Sequence, residues 1–154
     1  MQLQQMKSLY LNPEKMNTGN SRKSLNNTKK VSVLLIDSSP LILTRMEEML
    51  QDYFFVGAII SSTNIANSFS LIQEHNPDVL IIDISTFEEN AVQIVQQIKA
   101  SFSHIKIIMQ TNLSEQYHQY YRWLFEQLGA DYFIDKSNEF NLLQDILKEI
   151  YEKK

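Results

Sequence analysis

The chain has 154 residues, of which 44% are hydrophobic and 21% are charged, and its formal net charge is −4. That length suits one domain, and the apolar fraction is sufficient for a packed core. The absence of cysteine excludes disulfides and thiolate chemistry, and no apolar run approaches the roughly 18 residues that span a bilayer. We therefore expect a cytoplasmic protein without membrane contact.

The charge is distributed unevenly along the chain. Residues 1–30 contain six Lys/Arg and one acidic residue, whereas residues 31–154 contain eight Lys/Arg and seventeen acidic residues. The first segment is rich in Asn, Ser and Lys, so we predict a disordered basic tail over 1–30, with contact to nucleic acid or an anionic membrane as the alternative. The acidic remainder is a poor candidate for binding a phosphate backbone, so we expect no nucleic-acid partner.

Short apolar runs alternate with helically spaced apolar residues from Val31 onwards. Val31 to Ile36 predicts a buried strand, and Ser39 and Pro40 then supply an N-cap and a first helical residue. Later strands are predicted at 55–60, 79–83, 105–109 and 132–134. The predicted helices have these apolar stripes: Ile42, Met46, Met49, Leu50 and Tyr53; Ile65, Phe69 and Ile72; Val92, Val95, Ile98 and Phe102; Tyr117, Tyr121, Leu124 and Leu128, ended by Gly129; and Leu143, Ile146, Leu147 and Ile150.

This alternation of five strands and five helices predicts an α/β fold. A parallel sheet flanked by helices has strands that are buried on both faces, and we expect this of all five strands. Ligands of such sheets bind at the carboxyl ends of the strands. The polar residues at those ends are therefore the candidates for a functional site.

Four polar residues stand at the carboxyl ends of predicted strands. Asp37 follows the first strand, Asp83 ends the third, and Thr111 and Lys136 follow the fourth and fifth. Each residue alone has an ordinary interpretation as a turn, strand or surface residue. Together, two carboxylates can supply oxygen ligands to Mg²⁺, while the hydroxyl and the ammonium group can contact phosphate oxygens. The set predicts a site for a hard cation and a phosphoryl group.

Residues 31–154 resemble the response-regulator receiver family. The resemblance rests on four segments: LLIDSSP around Asp37, PDVLIIDI around Asp83, IIMQTN around Thr111, and GADYFIDKS around Lys136. It implies a flavodoxin-like fold in which five helices flank a five-stranded parallel sheet. It also implies a signalling domain, with at most slow autodephosphorylation as enzymatic activity, and the final segments look like those of stand-alone, single-domain receivers.

The resemblance further implies roles for particular residues. Asp83 would accept a phosphoryl group from a histidine kinase or a phosphotransfer protein, and Lys136 would contact the phosphate. Thr111 and Phe133 would form the switch that passes the signal to a downstream effector protein, by contact or in a phosphorelay; homodimerisation stays open. The ligands of Mg²⁺ would be Asp37, Asp83 and the backbone carbonyl of Ser85.

The chain departs from the family pattern at the metal site. Receivers usually carry two adjacent acids after the first strand, and the second position here is Ser38. We therefore expect weak Mg²⁺ binding, and the alternative function is a degenerate receiver that docks partners without phosphorylation. A phosphoaspartate hydrolase of the haloacid-dehalogenase type would need a second acid where Ser85 stands. Ser137 occupies the position of the usual proline after the lysine.

Overall fold

A computed structural model describes residues 29–83, 91–112 and 115–154. Apart from residues 29 and 30, the predicted basic tail lies outside the described residues. The described part forms one five-stranded parallel sheet with helices on both faces, which is the flavodoxin-like α/β fold expected from the sequence.

The five strands lie within two residues of their predicted bounds. β-branched and other apolar residues dominate them, as is usual for strands buried in a parallel sheet. The strands are β1 Val31–Ile36, β2 Val56–Ser62, β3 Val79–Asp83, β4 Lys106–Thr111 and β5 Tyr132–Asp135.

Five helices connect and follow the strands. Before the first, Ser39 caps the helix N-terminus, since its Oγ accepts a hydrogen bond from the backbone N–H of Ile42 at 3.4 Å, and Pro40 is the first helical residue, as predicted. The helices are α1 Pro40–Gln51, α2 Ser68–His75, α3 Ala91–Ser101, α4 Glu115–Gln127 and α5 Leu142–Glu152, with a short 3₁₀ helix Ile65–Asn67 before α2. The longest of these, α4, has 13 residues, and no described helix is long and apolar enough to cross a membrane.

The sheet order β2-β1-β3-β4-β5 separates two apolar clusters. Leu35, Ile81, Ile108 and Ile134 face one side, where they pack with residues of α1 and α5. The alternate strand residues, among them Ile82 and Met109, face α2, α3 and α4. Side chains alternate between the two faces of a strand. A polar residue at a strand end therefore lies on the same face as the apolar residue two positions before it.

Two expectations about burial are wrong. β2 is an edge strand, so Gly57 and Ala58 are exposed rather than buried on both faces. Tyr117, assigned to the apolar stripe of α4, is 49% exposed, whereas Tyr121 and Leu128 of the same predicted stripe do pack on the cluster, together with Phe125. Gly129 does end this helical segment, with a φ of 94° that favours glycine.

Candidate functional site

Three polar residues form a row across the carboxyl edge of the sheet. Ile36 pairs with Ile82, so Asp37 stands beside Asp83, and Asp83 itself pairs with Gln110. The alternation of side chains places all three on the face of α1 and α5. Each of them is at most 4% exposed. The row therefore brings two carboxylates and one amide together in a site with little access to water.

Lys136 joins this row from the end of β5. Its Nζ donates to Asp37 Oδ2 at 2.6 Å and also to Asp83 Oδ2. Its backbone N–H donates to the carbonyl oxygen of Thr111 at 2.8 Å, which extends the β4–β5 ladder to the lysine. The structure thus brings Asp37, Asp83 and Lys136, which are far apart in the chain, into contact at the carboxyl ends of three strands.

Because these charged groups are buried, the stability of each one depends strongly on its oppositely charged partner. The side chains of Lys136, Asp37 and Asp83 are 9%, 5% and 4% exposed. Removing one partner of a buried ion pair leaves an uncompensated charge and typically costs about 3–5 kcal/mol. Without the ammonium group, the two carboxylates would also repel each other. Lys136 is therefore the positively charged partner that the two carboxyl groups share at this edge.

The loop after β1 holds Asp37 in place. The second carboxylate oxygen, Oδ1, accepts from the backbone N–H of Ser39 at 2.9 Å, in the turn that leads into the capped N-terminus of α1. Ser38, between them, is exposed. Where receivers usually carry a second acid, this chain therefore has a hydroxyl at the surface of the site.

The site offers hard oxygen donors for a cation. Asp37 and Asp83 are the carboxylates at the edge, whereas Ser85, the third predicted ligand, lies outside the described residues. Within the ranges that the structure describes, no group of three or more His, Cys, Asp or Glu side chains could hold a metal ion. Two carboxylates nevertheless fit Mg²⁺, because this ion usually keeps several waters and takes one or two carboxylates from the protein.

Thr111 and Phe133, the predicted switch pair, lie on the opposite face of the sheet. Thr111 ends β4 and is buried, and Phe133 is 6% exposed. The Phe133 ring stacks with Phe125 of α4 at a centroid distance of 6.5 Å, and the guanidinium carbon of Arg122 lies 5.3 Å from its centroid. Phe133 is therefore already packed inward against α4.

Sequence reasoning assigned no role to Asp135, which the structure buries beside α4. Its Oδ1 accepts from the backbone N–H of Ser137 at 2.9 Å and its Oδ2 from the Asn138 amide at 2.9 Å, while His118 Nδ1 lies 3.7 Å from Oδ2. The Ser137 N–H, ahead of the Asn138 amide and His118, holds the pKa of Asp135 below its usual range despite the opposing effect of burial. A proline at position 137 could not donate this bond.

Gln110 also had no predicted role. It is 1% exposed, and its Nε2 has no hydrogen-bond partner among the described residues. The signal in the sequence is a single amide after the apolar residues Ile107, Ile108 and Met109. The sequence pattern does not show that Gln110 pairs with Asp83 on the neighbouring strand; the register of β3 and β4 does.

An open cavity of about 390 Å³ adjoins the site between α1 and the segment that precedes α5. Its lining is mainly apolar, with Lys136 at one side and Arg45 as a second positive charge. The lining residues are Ile42, Arg45, Met46, Met49, Asn112, Lys136 and Phe140.

Known proteins resemble this chain in sequence and in fold. The family model described as "Response regulator receiver domain" matches residues 33–148. A protein named "Probable C4-dicarboxylate response regulator DctR", from Priestia megaterium, is 27% identical over 89 residues, 58% of this chain and 39% of that protein. The matched region is thus about two fifths of that relative's length.

Solved structures share the fold at low sequence identity. A signal receiver domain of a DNA-binding response regulator from Colwellia psychrerythraea is 22% identical, with a TM-score of 0.69 over 80% of this chain and 99% of that one. RcsB from Salmonella enterica serovar Typhimurium, bound to a promoter, is 17% identical with a TM-score of 0.68, over 80% of this chain and 61% of that one. The absence of a nucleic-acid partner for the present chain stays a prediction.

The lowered pKa of Asp135 predicts a pH-dependent contribution to stability. The ionised carboxylate stabilises the fold above the ordinary Asp pKa, and this contribution is lost as the pH falls through the lower pKa of the folded state. Asp135→Asn should lower the melting temperature at pH 7 by about 5 °C. The difference from wild type should shrink towards pH 2. Glu126→Gln, at an exposed acid on α4, is the control; an equal loss for Asp135→Asn at both pH values would contradict the prediction.

Proposed function

Because the family match covers residues 33–148, the chain belongs to the response regulator receiver domain family, and we propose that it accepts a phosphoryl group on Asp83. Receiver domains are signalling domains of two-component systems and generally are not enzymes. The observation that supports Asp83 is its buried ion pair with Lys136, beside Asp37 at the carboxyl edge of the sheet.

In the proposed reaction, a carboxylate oxygen of Asp83 attacks the phosphorus of a phosphohistidine on the donor protein. The phosphorus–nitrogen bond breaks, an acyl phosphate forms, and the histidine ring keeps the electron pair and takes up a proton. Lys136 is already at Asp83 and can pair with oxygens of the incoming group. Thr111, at the end of the neighbouring strand, supplies a hydroxyl donor.

Receiver domains generally bind Mg²⁺ at their acidic pocket. In this chain, Asp37 and Asp83, with the Ser85 carbonyl, would hold it, and it would neutralise charge on the phosphoryl oxygens. Because Ser38 provides no carboxylate, we propose weak binding. Lys136, which contacts both carboxylates, carries a larger share of the charge compensation here.

The apolar cavity beside Lys136 is the proposed contact for the phosphodonor. A donor histidine must approach Asp83 from solvent, and the cavity is at the same edge of the sheet, between α1 and the segment that precedes α5. Ile42 and Met49 are partly buried side chains of α1 in its wall. A hydrophobic side chain of a histidine kinase or phosphotransfer protein could bury itself there while the histidine reaches Asp83.

In this proposal, the face of the sheet that carries α4 transmits phosphorylation to an effector protein. Thr111 and Phe133 are neighbours at the ends of β4 and β5, and Phe133 packs on α4 through Phe125 and Arg122. A phosphoryl group that engages the Thr111 hydroxyl would bias the packing of this pair and hence the position of α4. The exposed Tyr120 and Trp123 on α4 give an effector protein an aromatic surface to contact.

Phosphorylation is tested by incubating the protein with acetyl phosphate and Mg²⁺. Intact mass should increase by one phosphoryl group in wild type and stay unchanged in Asp83→Asn, because the amide is not a nucleophile for this reaction. Borohydride trapping and peptide mapping should place the adduct on Asp83. An adduct on Asp37 or Asp135 would refute the assignment.

The proposed donor contact separates two classes of phosphate donor. Ile42→Ala with Met49→Ala should slow labelling by an autophosphorylated histidine kinase by about tenfold, because apolar contact area is lost. Labelling by acetyl phosphate should be unaffected, since the small donor needs no cavity. The kinase is the fastest donor from a panel of the source organism's kinases. Leu41→Ala, at an exposed residue of α1, is the matched control, and an equal effect of both variants would contradict the role of the cavity.

Ser38 separates a phosphorylated receiver from a phosphorylation-independent docking module. Ser38→Asp adds a hard ligand at an exposed position, so Mg²⁺ affinity should rise by about tenfold or more in a calorimetric titration. Ser38→Asn, which adds no charge, is the control. If wild type takes up no phosphoryl group and Ser38→Asp restores uptake, the docking-module function is the correct one for this chain.

A further inference from the structure

The amide of Gln110 is a buried donor beside the proposed phosphorylation site. Asp83 and Gln110 are paired residues of neighbouring parallel strands, and their side chains share the face of α1 and α5. Neighbouring strands lie about 5 Å apart, so a glutamine side chain can reach a group attached to the aspartate. On its other side Gln110 pairs with Ile134, an apolar residue that offers no side-chain acceptor.

The Nε2 group is unusual in its surroundings. Gln110 is 1% exposed, and Nε2 is the one side-chain polar atom within the described residues that is fully buried without a hydrogen-bond partner. A buried donor without an acceptor destabilises a fold, whereas an apolar side chain of the same size would not. The three residues before Gln110 in β4, Ile107, Ile108 and Met109, are apolar and buried. An apolar residue could therefore be accommodated at position 110 as well, so packing does not account for the amide.

Phosphorylation would create the missing acceptor. A phosphoryl group brings three acceptor oxygens and more negative charge than the carboxylate that it modifies. Lys136 is shared between two carboxylates, and Ser38 removes one ligand from the metal site. An additional neutral donor next to Asp83 would therefore stabilise the phosphorylated state more than the resting one.

We propose that the Gln110 side-chain amide donates a hydrogen bond to the phosphoryl group carried by Asp83. This inference rests on the proposed phosphorylation of Asp83 and makes Gln110 a direct phosphoryl-binding residue. The unpaired donor lowers the stability of the unphosphorylated domain and contributes to phosphoryl binding once the acceptor is present. The amide thus biases the equilibrium between resting and phosphorylated states by destabilising the first and stabilising the second.

The test replaces the amide by an apolar side chain of similar shape. Gln110→Met should raise the melting temperature of the protein without ligand by roughly 3 °C, because an unpaired donor disappears. Its affinity for trifluoroberyllate, measured with Mg²⁺ by calorimetry, should fall by about tenfold or more, because a hydrogen bond to a charged group disappears. Ile108→Met, two residues earlier on the same face, is the matched control and should change trifluoroberyllate affinity little. Gln110→Leu is the second variant and should behave as Gln110→Met does.

The outcomes distinguish this inference from the proposed function. If wild type and Gln110→Met bind trifluoroberyllate equally, Gln110 does not contact the phosphoryl group, and Asp83 phosphorylation stands without it. A lower melting temperature for both Gln110 variants would also overturn the inference, since the amide would then have a partner in the resting state. If wild type binds no trifluoroberyllate and accepts no phosphoryl group from acetyl phosphate, the proposed function itself fails.

Discussion

The contact of Lys136 with Asp37 and Asp83 is the interaction on which the arrangement of polar groups at the carboxyl edge of the sheet depends. Two carboxylates on adjacent strands and one ammonium group are all almost excluded from water. Ions in such surroundings are stable only when they are paired and hydrogen-bonded. The lysine reaches this position because its backbone N–H continues the β4–β5 ladder at Thr111. Strand pairing, charge compensation and the proposed phosphoryl chemistry therefore depend on the same residue.

The alternation of side chains along each strand separates two tasks at this edge. Asp37, Asp83 and Gln110 lie on the face of α1 and α5, together with the cavity that we assign to the phosphodonor. Thr111, Phe133 and Asp135 lie on the face of α4. Consecutive residues of a strand point to opposite faces, so the ends of β4 and β5 contribute side chains to both faces of the sheet. In the proposed switch, a change in charge at Asp83 would influence α4 over a short distance through Lys136 and Thr111.

The region around Asp135 shows how one departure from the family pattern is accommodated. With serine instead of proline at position 137, the backbone keeps an N–H that binds the Asp135 carboxylate. The same turn includes Asn138, which also binds Asp135, and Glu139, which accepts from the backbone N–H of Asp135 at 3.0 Å and pairs with Arg122 of α4. These bonds connect the segment that carries Lys136 to α4. With serine at position 137, hydrogen bonds to Asp135 therefore hold this turn, where a proline would restrict the backbone.

The amino-acid pattern alone was sufficient to predict the order and approximate bounds of the strands and the apolar stripes of the helices, and to predict Asp37, Asp83, Thr111 and Lys136 at strand ends. Local periodicity and turn residues are sufficient for this, since they report which residues are apolar and where each element stops. Three features could be read only from the folded chain: the contact of Lys136 with both carboxylates, the position of Gln110 beside Asp83, and the exposure of Tyr117. These facts depend on strand order and register, which join residues far apart in the chain. A local pattern contains no information about which distant strand becomes a neighbour, so the pairing of strands had to be observed.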